Sequence, residues 1–277
     1  MKRFFIAIAI LLLALYWGTR TQAPHLGPEV RTQTRDMILA GQRVHVTYYI
    51  PINVMEAPLV VVAHGFTRSK RYMAGWGAEL AAQGFIVAVP TQPALADHEL
   101  NARVLAELVE RTRQGQIKLK VTPVGRVAMM GFSMGGLTTF LAAAKHPIDA
   151  WVGLDPVGMD DSWLQVAKDV KFPCAVLRAE PGAWNKNGNA RALYAVLPTP
   201  KFTLKVRHST HLDAESPTDF VGQLACGWTD PARQALFKRY AFAFLKAHLV
   251  DDRESLRVLH AANHDDGVTE VDDHLGQ

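Results

Sequence analysis

Cysteine is nearly absent: Cys174 and Cys226 are the only two in 277 residues. None lies near the N-terminus, which excludes a lipid-anchored lipoprotein. The pair could be joined in an oxidising compartment, but Cys174 sits in an apolar, strand-like run, and two free thiols fit the sequence equally well. A full membrane span is also missing. The longest apolar run, Phe4 to Trp17, stops short of the ~20 residues that cross a bilayer. There is no basic stripe with interleaved aromatics, so nucleic acid is not an expected partner. No internal repeat is visible, and none of the chemistry considered below calls for a metal or other cofactor.

What remains is a chain that is 49% hydrophobic, enough for one sizeable core. Lys2 and Arg3 precede the apolar run, and this basic-then-apolar order predicts export to the periplasm or the medium. The segment 1–23 is read either as a removed signal or as an uncleaved anchor in the inner membrane. "TQA", ending at Ala23, is the only candidate cleavage site, and Tyr16 and Trp17 close the run as interfacial aromatics would. Residues 24–42 read as a loose linker and 43–250 as the folded domain. Charge is uneven: eight acidic residues and two arginines follow position 250, in a chain of net charge +4. Residues 251–277 lack apolar periodicity and are expected to be an acidic, mobile tail. Its His260, His264, Asp265, Asp266 and His274 form at most a loose metal cluster, and a solvated tail is the favoured reading.

Within the domain, "RVHVTYYIPI" alternates as a strand does. Short, wholly apolar runs then alternate with helical stretches. "APLVVVAHG", "FIVAVP", "RVAMMG", "DAWVGLDP", "FPCAVLRAE" and "FTLKVRHS" are the strand candidates. "DPARQALFKRYAFAFLKAHL" predicts a final helix, with Asp230 as N-cap and Pro231 at its first position. Apolar strands alternating with helices predict an α/β fold: a mostly parallel sheet covered on both faces. Such sheets gather their functional groups beyond the carboxyl ends of the strands.

"GFSMGG" stands where one of these strands hands over to a helix. A Gly-x-Ser-x-Gly turn there forces the serine into a strained, exposed position and marks Ser133 as a nucleophile. An oxyanion site needs two donors. The N–H of Met134 follows the nucleophile, and the N–H of Phe66 lies in the loop "HGF" after an earlier strand. The base is a histidine late in the chain, and His211 in "VRHSTHLDAE" lies in the loop proper, whereas His208 still belongs to the strand end. Two acids end neighbouring strands, Asp155 in "GLDPV" and Glu180 in "LRAEPGAW", and either could orient His211. Asp160 and Asp161 are more remote. Phe66, Phe132 and Trp184 are candidates for an apolar acyl pocket, and the stretches 156–172 and 181–190 are where specificity is expected to be set.

Together "HGF", "GFSMGG", "GLDPV" and "HLD" resemble the α/β-hydrolase superfamily over about residues 45–250. Within it they resemble the chlorophyllase-like and platelet-activating-factor-acetylhydrolase-like esterases, with cutinase-type polyester hydrolases as further relatives. The resemblance implies an α/β-hydrolase fold and carboxylic-ester hydrolysis through an acyl-Ser133 intermediate, with lipid-like or small esters as substrates. Chlorophyllase-like members take their acid from the "LDP" position, which implies Asp155 over Glu180. Phe132 and Met134 flank the serine where plant chlorophyllases carry histidine and arginine, which argues against chlorophyll as substrate. Leu212 and Val221 occupy a region where related exported hydrolases carry cysteines, so a local disulfide is not implied. Acyl transfer to another acceptor, amide cleavage by the same residues, and a non-catalytic envelope binding protein are the alternative readings.

Overall fold

The structure, a computed structural model, describes residues 13–14, 16–21, 27 and 29–276. Most of the expected export segment, including its candidate cleavage site at Ala23, lies outside the described residues. Among the described residues, no helix is long and apolar enough to cross a membrane.

One sheet organises the molecule. Its strands, in chain order, are β1 Val30–Leu39, β2 Gln42–Pro51, β3 Glu56–Ala63, β4 Ile86–Pro90, β5 Thr122–Phe132, β6 Ala150–Leu154, β7 Cys174–Arg178, β8 Lys201–Val206 and β9 Val268–His274. They lie side by side as β1-β2-β4-β3-β5-β6-β7-β8-β9. The six central strands, β4 to β8 in that spatial order, are parallel, while β1, β2 and β9 pair antiparallel at the flanks. The helices are α1 Ala74–Ala82, α2 His98–Arg113, α3 Met134–Lys145, α4 Ser162–Ala167, α5 Ala190–Val196, α6 Phe220–Cys226, α7 Pro231–Leu249 and α8 Arg253–His260. This is an α/β-hydrolase fold.

Burial explains why the strands read as unbroken apolar runs. Successive side chains alternate between faces, and both faces are covered. Val60, Val62, Met130, Val152 and Leu177 pack under α1 and α7 with Trp76, Phe237 and Phe244. Val61, Met129, Trp151 and Val176 pack under α2 and α3 with Leu105, Leu137 and Phe140. Each fully buried large side chain of this kind contributes about 1.5–3 kcal/mol. Asp230 caps α7 as its sequence predicts, accepting from the N–H groups of Ala232 and Arg233, with Pro231 at the first turn.

Two expectations are corrected. The linker assigned to 24–42 contains β1, which pairs with β2 along its whole length. A two-residue turn at Ala40-Gly41, with φ of 47° and 75°, closes this hairpin. Its Arg35 and Asp36 face solvent at the sheet edge, and charges there disfavour edge-to-edge pairing. The tail assigned to 251–277 is not loose either: it forms α8 and the opposite edge strand β9. Leu259, Ala262 and Val268 are buried, and the acidic residues meet basic partners. Glu270 pairs with Arg178 at 2.9 Å and with Lys205 at 3.1 Å. Charge complementarity, rather than an apolar repeat, fixes this segment. His260 and His274 pair with Asp273 and Asp272, and no group of three or more metal-ligating side chains is gathered among the described residues.

Candidate active site

The elbow forms because β5 and α3 meet at a backbone that only small residues permit. A Cβ on Gly135 would lie 2.4 Å from the His64 carbonyl oxygen, and one on Gly65 would lie 3.1 Å from Ser133 Cβ. The strand, the helix and the "HGF" loop therefore close on one another directly. Ser133 sits between them with φ 54° and ψ −125°, a conformation that costs an L-residue on the order of 1–3 kcal/mol. Its own backbone holds it there: Ser133 N–H donates to Leu154 O at 3.1 Å, and its carbonyl accepts from Gly136 and Val157. Helix α3 begins at Met134, so that residue's N–H is free of helical pairing and points from the positive end of the helix dipole.

His211 reaches the elbow from a short turn, His211–Ala214, beyond β8. The turn is tied down from several sides. Trp76 Nε1–H of α1 donates to Ala214 O at 3.0 Å, and Arg233 Nε of α7 donates to Asp213 at 2.7 Å. Asp213, two residues after the histidine, is thereby committed to structure. His211 Nε2 accepts from Ser133 Oγ–H at 2.9 Å, and His211 Nδ1–H donates to Asp155 Oδ2 at 2.6 Å. Phe132 packs against the imidazole with ring centres 4.7 Å apart. All three polar residues are buried, Asp155 to 1% exposure.

Asp155 turns inward because its φ is 40°, and its N–H is fixed to Leu177 O at 2.6 Å. Oδ1 accepts from Ala179 N–H and Oδ2 from Asn185 Nδ2, both at 3.0 Å. Glu180 takes another course. Its carboxylate pairs with Lys205 at 2.7 Å and accepts from His208 N–H at 3.0 Å. Partial burial pushes that carboxyl up, but the Lys205 and His208 bonds outweigh it and hold it below its usual value. Asp160 and Asp161 are exposed and take no part in the hydrogen-bonded chain.

The loop carrying Phe66 is built on two supports, a buried His64 and a half-buried Arg68. Burial holds the His64 imidazole neutral, with its pKa lowered to about 4. Its Nδ1–H donates to Gly65 O, and Nε2 accepts from Gln92 N–H. Arg68 grips Glu215 with two hydrogen bonds and Asp219 with a third, while lying 3.5 Å from the Tyr72 ring centre. Burial raises the Glu215 carboxyl to about 7 against the pull of Arg68. This network couples the Phe66 loop to the His211 turn. Its residues are scattered through the chain, and no local motif announced it.

Ser133 opens into a cleft of about 520 Å³ whose walls include Phe66, Phe132, Val157, Trp184 and Val221. Phe66 and Trp184 stand at its rim, and Phe132 lies buried below. Trp184 is fixed by its Nε1–H, which donates to Ala225 O of α6 at 2.8 Å. Cys226 borders the same cleft and Cys174 is buried in β7; both are free thiols.

Sheet order, strained elbow and hydrogen-bonded Ser-His-Asp chain together define a member of the α/β-hydrolase superfamily. The chain belongs to the PET hydrolase-like family, whose model matches residues 29–255. Similar proteins include the bis(hydroxyethyl) terephthalate hydrolase of Streptomyces coelicolor, 29% identical over 194 residues, covering 66% of this chain and 60% of that protein. Cutinase est1 of Thermobifida alba is 24% identical over 192 residues, covering 66% and 62%. Cutinase cut1 of Thermobifida fusca is 25% identical over 190 residues, covering 66% and 58%. The matched region thus spans about three fifths of each relative's length.

Proposed function

We propose that this protein is a serine carboxylic-ester hydrolase working through an acyl-Ser133 intermediate. His211 takes the Ser133 proton as the hydroxyl attacks the ester carbonyl. Asp155 holds His211 in the Nδ1–H tautomer and stabilises the imidazolium that forms. The N–H groups of Met134 and Phe66 receive the developing oxyanion. His211 then protonates the departing alcohol, and water repeats the sequence to release the acid. The single observation that carries this reading is the unbroken chain Ser133 Oγ, His211 Nε2, His211 Nδ1, Asp155 Oδ2, at 2.9 Å and 2.6 Å.

The cleft's apolar walls favour lipid-like or small apolar acyl groups, and the kinship with a bis(hydroxyethyl) terephthalate hydrolase and with cutinases points to aromatic and polyester-type esters. The basic and apolar order of residues 1–23 supports an exported enzyme. Turnover of p-nitrophenyl esters of graded acyl length, compared between the native chain and Ser133→Ala, tests the reading. Serine-dependent turnover with an acyl-enzyme burst is expected. No turnover at any chain length would overturn it.

A further inference from the structure

Asn185 lies in the loop between β7 and α5 and has no motif around it, yet it is buried to 1% exposure. Its Nδ2 amide donates to Asp155 Oδ2 at 3.0 Å and to the Glu180 carbonyl at 2.9 Å. Its Oδ1 accepts from Gly182 N–H at 2.8 Å and from Gly188 N–H at 2.9 Å. Every hydrogen-bonding site of the amide is used, and a flipped amide would set oxygen against a carboxylate and a carbonyl, so the orientation is fixed chemically. Asp155 Oδ2 is also the oxygen that receives Nδ1–H of His211.

We infer that Asn185 is a positioning residue for the Ser133-His211-Asp155 relay. It fixes the rotation of the Asp155 carboxylate and takes up part of the charge that His211 would otherwise feel alone. It also joins the acid to the cleft wall, because its sequence neighbours Trp184 and Lys186 both face the cleft. The consequence for turnover rests on the ester-hydrolase reading above, whereas the effect on His211 does not.

Where both carboxylates are ionised, a second one in place of the amide leaves more negative charge beside His211 and raises the proton affinity of its imidazole; where the two share a proton, the new side chain donates to Asp155 as the amide did. The other charged groups around His211 are already engaged. Glu215 is bound by Arg68 alongside Asp219, and Asp213 by Arg233. Lys186 Nζ donates to Met159 O across the cleft, and Glu180 pairs with Lys205. His98 lines the far side of the cleft, held below its usual value by burial.

Asn185→Asp is the informative variant. It keeps the Oδ1 acceptor for Gly182 and Gly188 and reverses only the donor side. The His211 imidazole is titrated in the resting full-length protein by NMR of labelled histidine, which needs no substrate. Its pKa is expected to rise by about one unit. With a p-nitrophenyl ester, kcat should fall about tenfold or more, KM should stay within about twofold, and the acid limb of kcat/KM should move up with the imidazole. Asn185→Ala, read the same way, loses the donor without adding charge, so the fall in kcat should appear with a smaller titration shift. An unshifted imidazole and acid limb with native kcat in folded Asn185→Ala would overturn the proposal. A shifted imidazole in a native protein that turns over no ester would sink the ester reading and leave Asn185's role standing.

Discussion

The loops after β6 and β7 carry, within their first two residues, a carboxylate followed by proline: Asp155-Pro156 and Glu180-Pro181. Their carboxylates face opposite ways. Asp155, at φ 40°, folds under the elbow, is 1% exposed and receives three hydrogen bonds. Glu180 keeps about a third of its side chain in solvent and joins Lys205, which also binds Glu270 of β9. A place at the end of a parallel strand makes a carboxylate available. The backbone turn, and the donors that meet the side chain, decide whether it faces His211 or pins an edge strand.

The sharpest break in that comparison is a pair of isosteric amides. Asp155→Asn should lower ester turnover by roughly 10⁴-fold, because the histidine loses its orienting acceptor. Glu180→Gln should leave kcat/KM within about twofold. The two are measured side by side on one p-nitrophenyl ester, and the reverse ranking would move the orienting acid to the β7 loop. Ser133→Ala sets the floor for both, at a loss of roughly 10⁶-fold with an unchanged fold.

A smaller effect is expected at the cleft rim. Trp184→Ala should raise KM for long-chain or aromatic esters about three- to tenfold with little change in kcat, since the ring contributes binding common to substrate and transition state. Steady-state kinetics across acyl lengths checks this, and a loss confined to kcat would tie Trp184 to the relay instead. The smallest effect belongs to the edge cluster. Arg178, then Lys205, outweigh partial burial and pull the Glu270 carboxyl down to about 2 from an ordinary 4.5. A depressed carboxyl stabilises the fold above its ordinary value, and the contribution is lost as pH falls toward 2. Glu270→Gln should therefore cost about 1 kcal/mol or less at pH 7, because the group is partly solvated, and nothing near pH 2. Denaturant melts at the two pH values read the difference.

Much of this molecule is legible in its sequence. Parallel strands buried on both faces leave a continuous apolar signature, so β3 to β8 were legible, and "GFSMGG" marked the elbow by its glycines. His211 followed from its place in the chain. The edges were misread for a physical reason. In β9 only Val268 is fully buried, and Glu270 beside it finds partners on β7 and β8 that no local window contains. Asn185, Arg68 and Glu215 were missed because the partners that tie them to the site, Asp155 for Asn185 and the Arg68–Glu215–Asp219 bonds, lie 30 to 151 residues away. Nothing in their immediate neighbours distinguishes them from ordinary loop residues.

The positive φ of Ser133 also bears on how this protein would respond to laboratory evolution. Glycine adopts that backbone conformation freely, so Ser133→Gly should melt at a higher temperature than the native chain, by an amount reflecting about 1 kcal/mol or more of relieved strain. Calorimetry of Ser133→Gly beside Ser133→Ala, which keeps the strain, isolates the effect. A library selected for heat resistance alone would then be drawn toward chains that have discarded the serine hydroxyl. Any such selection needs an activity screen in the same round to keep it.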